Sequence, residues 1–160
     1  MAVRKSEIKD LDRMLEIYAY ARQVMADNGN PHQWGDEGYP KRELLESDIS
    51  KGISYVMEEG EHIYGVFTFI IGEDPTYTYI ENGQWLNDNL YGTIHRIASD
   101  GSRKGLLKEC VGFCETQIGD LRIDTHHDNT IMQHLIPQCG FIECGVIYVA
   151  DGTPRKAYQK

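Results

Sequence analysis

Residues Tyr91 to Cys114, YGTIHRIASDGSRKGLLKECVGFC, constrain what this chain can fold into more than any other stretch. Thr93-Ile94-His95-Arg96-Ile97-Ala98 carries enough β-branched residues to predict a strand ending near Ser99. Asp100-Gly101-Ser102 is turn chemistry. From Leu106 onward the apolar residues fall at Leu107, Cys110, Val111, Cys114 and Ile118, the stripe of an amphipathic helix. A strand, a short glycine-containing turn and a helix start form a ready anion site. The first helical N–H groups lack partners there, and the helix dipole adds positive charge. Arg103, Lys104 and Lys108 bring cations to the same place, which suits a phosphate-bearing ligand. Many α/β proteins share this arrangement with no ligand present, so on its own it sets architecture and not function.

The flanking sequence extends the alternation of strands and helices. Ala2 to Lys5 predicts a short first strand, and the face Leu11, Met14, Leu15, Tyr18, Arg22 and Met25 predicts a helix from about Asp10 to Asp27. Asn28-Gly29-Asn30-Pro31 stops it. Residues 32–40, HQWGDEGYP, form a loop, and Lys41 to Ser50 a second helix. Ile53 to Met57 and Ile63 to Ile71 read as a hairpin around a turn containing Gly60. Pro75 to Leu90 reads as a long loop with one short irregular piece, and a loop of that length in a compact domain is often functional. Leu121 to Thr125 is a strand, and Asp128 or Asn129 caps a helix that should kink or stop near Pro137. Phe141 to Val149, with Gly145 as a bulge, and Arg155 to Gln159 complete the order β α α β β β α β α β β, an α/β domain with a mixed sheet.

At 160 residues the chain is expected to form one domain, residues 1–160, with a full core. A net charge of −9 argues against a nucleic-acid partner and suits attraction of a cationic amine. No apolar run approaches the ~18 residues of a membrane span, so no membrane partner is expected and the chain reads as cytoplasmic. The cysteines, Cys110, Cys114, Cys139 and Cys144, form no C-x-x-C pair, and Cys110 and Cys114 fall on the apolar stripe as packing residues.

Two motifs, in order, carry a resemblance. Ile97-Ala98-Ser99-Asp100-Gly101-Ser102-Arg103-Lys104-Gly105-Leu106-Leu107 resembles the acetyl-CoA pyrophosphate loop of the GNAT N-acetyltransferase superfamily, Gln/Arg-x-x-Gly-x-Gly/Ala after a strand. Residues 129–141, from Asn129 to Phe141, resemble that family's Asn-x-x-Ala-x-x-Leu-Tyr-x-x-x-Gly-Phe. Ser102, Leu107, Met132 and Ile136 depart from the pattern, and Ile136 replaces a tyrosine that serves many members as general acid. The resemblance implies a GNAT-like mixed, largely antiparallel central sheet with helices on both faces. It also implies an acetyl-CoA-dependent N-acetyltransferase acting on an amine-bearing small molecule or peptide, with room for a homodimer. The amides of Ser102, Arg103, Lys104, Gly105, Leu106 and Leu107 would then cradle the pyrophosphate, with Arg103 and Lys104 adding charge. The Ile97 N–H would polarise the acetyl carbonyl, and Asn129 would hydrogen-bond the pantetheine arm as well as cap its helix.

An ammonium is no nucleophile, so a residue must take its proton, and Glu81, His95, Asp124 and His126 are the candidates. Glu81 and His95 are singled out beside Ile97; for Asp124, a buried pair with Arg96 or Arg122 is the favoured expectation. Trp34, Tyr39, Tyr77, Tyr79 and Trp85 are expected to form an aromatic wall for the amine. A non-catalytic acyl-CoA-binding module is the alternative. No metal is expected, because adjacent His126 and His127 would point apart on an extended chain.

Overall fold

In the computed structural model, which describes residues 2–34 and 38–160, the predicted element order holds. The strands are β1 (Ala2–Lys5), β2 (Ser54–Glu59), β3 (His62–Ile71), β4 (Gly92–Ser99), β5 (Leu121–Thr125), β6 (Ile142–Tyr148) and β7 (Pro154–Gln159). The helices are α1 (Leu11–Asp27), α2 (Arg42–Ser50), α3 (Leu106–Glu115) and α4 (Thr130–Gln138). The strands form one seven-stranded sheet in the order β1-β2-β3-β4-β5-β7-β6. Every neighbouring pair is antiparallel except β4 and β5.

Side chains alternate across β3, and the two faces bury different helices. Val66 packs with Leu11, Met14, Ile17 and Tyr18 of α1 and Leu45 of α2. Phe67 and Phe69 face the other way, onto Leu107, Cys110, Val111 and Cys114 of α3 and Ile136 of α4. Fully burying side chains of this size contributes about 1.5–3 kcal/mol each, so these two stripes hold helices on both faces. The long loop is not loose. A single 3-10 turn, Pro75–Tyr77, puts Tyr77 into a third cluster with Tyr91, Ile147 and Ala157. Further on, the backbone of Glu81 exchanges two 2.8 Å hydrogen bonds with Val146. The register of β6 slips between Glu143 and Gly145 at this contact, and a Cβ on Gly145 would lie 2.6 Å from the Glu81 carbonyl.

Cys110 and Cys114 are buried free thiols in the core, as their place on the stripe predicts. Helix α4 ends one residue beyond Pro137. Gly35, Asp36 and Glu37 of the aromatic loop lie outside the described residues. Among the described residues no helix is long and apolar enough to cross a membrane.

Candidate active site

Among the described residues the only parallel pairing in the sheet is also its shortest. Strands β4 and β5 meet at Gly92–Leu121 and Thr93–Arg122, and no further pair joins them. Beyond Thr93 they separate, and the gap opens the middle of the sheet. The divergence coincides with a bulge: Val66 pairs with Ala98 and Thr68 with His95, so β4 carries one extra residue there. Arg96, in the bulge, has φ +50°, a left-handed conformation that costs an L-residue about 1–2 kcal/mol. Three contacts hold it. Its guanidinium donates to Asp48 Oδ2 at 2.7 and 3.1 Å, another donor reaches the Tyr39 hydroxyl at 3.0 Å, and its carbonyl accepts from Tyr18 Oη at 2.6 Å. A trans peptide points its C=O and N–H in opposite senses, so the bond to Tyr18 turns the Ile97 N–H away from α1.

Two cavities fill the gap, and Met25, Ile97, Asn129 and Met132 line both. The first, about 430 Å³, runs between the C-terminal half of α1 and the starts of α3 and α4. The two helix starts differ. Asn129 caps α4, its Oδ1 accepting from the Met132 N–H at 3.1 Å while its Nδ2 donates to Gln33. Gly105 stands at the cap of α3 with φ +78° and no side chain to offer, and a Cβ there would meet nothing within 4 Å. The first-turn N–H groups of Leu106, Leu107 and Lys108 have no partner inside the helix. The turn before them is braced by Asp100, which accepts from Ser102 N–H at 2.9 Å and Arg13 at 2.7 Å, with His62 Nε2 2.9 Å from its Oδ2. The Ser102 amide, expected to face pyrophosphate, therefore donates to Asp100. Arg103 lies over the Tyr64 ring at 4.3 Å and reaches Glu59 at 3.2 Å, while Lys104 is exposed at the rim. Leu106 and Leu107 belong to the core cluster and also border the opening.

The second cavity, about 640 Å³, is more polar than the first and lies where β4 and β5 diverge. His95, Asp74, Thr76, Asp124 and Arg155 line it beside Trp34 and Tyr39. His95 Nε2 lies 2.9 Å from Asp74 Oδ2, and Asp74 Oδ1 accepts from Thr76 N–H at 2.8 Å and its hydroxyl at 2.7 Å. Burial pushes the Asp74 carboxyl up, but the hydrogen bonds from His95 and Thr76 outweigh it and hold it at about 2. An ionised Asp74 favours the His95 tautomer with its proton on Nε2, leaving a lone pair on Nδ1. Asp124 accepts from Tyr77 Oη at 2.6 Å, and burial raises its carboxyl above the usual range.

Several expectations need correction. Asp124 pairs with neither arginine: Arg96 is taken by Asp48, and Arg122 stacks on Trp85 (4.0 Å) and Tyr91 (3.9 Å). The aromatic wall divides, because only Trp34 and Tyr39 line the cavity. Tyr77 and Trp85 pack together, and Tyr79 stacks on Tyr148. Glu81 lines neither cavity; its carboxylate accepts from Tyr79 at 2.9 Å and Tyr148 at 3.0 Å. His126 and His127 lie on a turn and their rings stack at 4.3 Å, so the extended-chain argument against a shared ion fails. With Asp128 they could gather around a metal, but His126 Nδ1 already accepts the Asp128 N–H at 3.0 Å. Asp74 opens a helix-start signature, Asp-Pro-Thr, which marks its turn but not its distant partner His95. Arg155 and Asp48 had no local signal.

The same architecture recurs in solved structures. A GNAT-family acetyltransferase from Streptococcus agalactiae is 33% identical, with a TM-score of 0.91, over 99% of this chain and 94% of that one. This chain belongs to the GNAT acetyltransferase family. A GNAT-family acetyltransferase from Listeria monocytogenes (20% identical, TM-score 0.72) covers 99% of this chain and 93% of its own. A ribosomal-protein-alanine N-acetyltransferase from Brucella melitensis (17%, TM-score 0.63) covers 100% and 99%; both share the fold. No protein-family profile and no curated protein matches the sequence.

Within this GNAT domain the motif departures acquire positions. Leu107 is buried among core residues, Met132 sits in the wall common to both cavities, and Ile136 is fully buried under α4. A tyrosine at Ile136 would have to displace core side chains.

Proposed function

We propose that this acetyltransferase moves the acetyl group of acetyl-CoA onto the amine of a small molecule or peptide by direct attack. The observation that carries this reading is a pair of adjoining cavities that share Met25, Ile97, Asn129 and Met132 in their walls. The uncapped α3 start stands at one end, the Arg96 bulge in the middle and the His95–Asp74 pair at the other. The fit to acetyl-CoA rests on the first cavity, whose helix start and apolar walls suit a phosphate followed by a narrow organic arm.

The amides of Arg103 to Leu107, with Lys104, would hold the pyrophosphate, and Asn129 would steady the arm. The Ile97 N–H would polarise the thioester carbonyl. The amine nitrogen forms a bond to the carbonyl carbon, the C–S bond breaks and the thiolate leaves. The proton lost by the amine passes to His95 Nδ1, with Asp74 holding the ring. His95 takes this role in preference to Glu81 because it lines the cavity. Acetyl-CoA turnover against an amine panel, with calorimetric CoA titration beside it, tests the proposal. CoA binding without turnover of any amine would favour a non-catalytic acyl-CoA-binding module.

A further inference from the structure

Buried charges in folded proteins are normally held in close ion pairs, and in the second cavity Arg155 and Asp124 feel each other's charge without making one. Arg155 is 8% exposed, and its Nη1 donates only to the Thr153 hydroxyl and the Pro154 carbonyl, each at 2.9 Å. Among the described residues no carboxylate forms an ion pair with it. Asp124 likewise forms none, and its one hydrogen bond comes from Tyr77. The register explains why they share a wall. Asp124 pairs with Ala157 across β5 and β7, and Arg155 stands two residues along β7, on the same face. Such diagonal neighbours lie about 7–8 Å apart, near enough to read one small molecule from two sides.

We infer that the acceptor is a small amino acid, its carboxylate held by Arg155 and its ammonium by Asp124 before His95 takes the proton. This inference rests on the transfer reading above and narrows its substrate class. Burial lowers the Arg155 pKa and raises that of Asp124, and the attraction of the two charges across the wall offsets this only in part, which leaves room for a guest that carries both signs. A diamine would place its second ammonium beside Arg155. A plain hydrophobic amine would satisfy Asp124 but leave the Arg155 charge unmatched. A planar guanidinium suits a carboxylate, which it can grip with two parallel bonds.

The test is calorimetric binding to the CoA-loaded protein of the common amino acids, each beside its decarboxylated amine and its carboxamide. Turnover of the same compounds with acetyl-CoA is measured in parallel. At least one free amino acid should bind about 30-fold or more tighter than both of its counterparts, the size of a lost charge-assisted pair. Arg155→Gln should remove that preference while changing affinity for the decarboxylated amine less than about threefold. Arg155→Lys should restore part of it. Circular dichroism and CoA affinity check that the variants fold, and the comparison among ligands needs no variant. Equal binding of the three forms overturns the inference, as does failure of every amino acid to bind. So does an equal loss for all three forms in Arg155→Gln. If amino acids bind with this preference but no compound is acetylated, the transfer reading fails and the recognition stands. If amines are acetylated without preference, transfer stands and this inference fails.

Discussion

The cavity at the start of α3 and the cavity where β4 and β5 diverge share four residues, yet they are built from different materials. The first presents backbone and apolar side chains around a glycine cap. The second presents charged side chains drawn from β4, β5, β7 and the turn at Asp74. A site made of backbone tolerates changes of side chain along the loop, because any residue supplies an N–H. This explains how Ser102 and Leu107 can depart from the family pattern while the helix start survives. A site made of side chains depends on each one, and on whatever holds each in place.

The sharpest way to break the comparison is to put a charge into the backbone site. Gly105→Glu should lower CoA affinity by more than about 100-fold, since a carboxylate would oppose phosphate at a helix N-terminus. Any side chain at φ +78° is also strained, so Gly105→Ala is the control. It carries the strain without the charge and should lose less than about tenfold. Calorimetric CoA titration beside circular dichroism reads both. Equal losses in the two variants would mean that conformation, not charge, governs the site.

In the second cavity the largest effect should come from the proton acceptor. His95→Gln should reduce kcat by about 10²–10⁴-fold, with CoA affinity within about twofold, because assistance of that size is what a positioned base supplies. Asp74→Asn should lose less, because it removes only the group that orients the ring. The sign of the pH dependence follows from Asp74, whose carboxyl is held at about 2. It stays ionised down to that value, so any fall of activity on the acid side near neutrality does not come from Asp74. An acid limb that persists unchanged in His95→Gln would assign it to the amine alone.

The contrast also sorts what could be read from the sequence. The stripe from Leu107 to Cys114, the cap at Asn129 and the stop near Pro137 depend on residues a few positions apart, and the fold follows them closely. Gly105 belonged to that local class, and so did the cation-bearing turn. The Arg96 clamp does not. Asp48 lies 48 residues away and Tyr18 lies 78 away, so no local pattern announces either contact. The expected partner, Asp124, was a reasonable inference from sign alone, but it stands on the other side of the opening. Long-range pairing of charges is set by packing, and packing is what a single sequence hides.

That clamp makes a testable structural claim. Asp48→Ala leaves the Arg96 guanidinium buried with one neutral partner, and breaking a buried pair costs about 3–5 kcal/mol. A urea melt should move by that amount. A loss below about 1 kcal/mol would show the pair to be as weak as a surface one. In protein that remains folded, the bulge would be free to relax, and kcat should fall with it while CoA affinity changes little.

The smallest effects should come from α4, where many GNAT enzymes keep a general acid. The part of α4 that borders the first cavity offers Thr130, Ile131, Met132 and Leu135; only the Thr130 hydroxyl carries a proton, and an aliphatic alcohol is far too weak an acid to serve as the donor. Ile136 is fully buried. Cys139 caps the helix with burial pushing its thiol up, and Lys160 binds its carbonyl at 2.7 Å, which fixes the backbone and not the sulfur. The Tyr148 hydroxyl donates to Glu81, and that bond raises its pKa, so its proton is committed elsewhere. A donor is also dispensable on chemical grounds. A thiol's ordinary pKa of about 8.5 makes the thiolate a tolerable leaving group near neutral pH. Cys139→Ala and Tyr148→Phe should therefore change kcat/KM by less than about threefold, well below the ~10²-fold floor for a lost general acid. Neither variant should alter the basic side of the pH profile. A basic limb that disappears in Cys139→Ala together with a loss of about 100-fold or more would return the general acid to α4 and erase this difference between the two cavities.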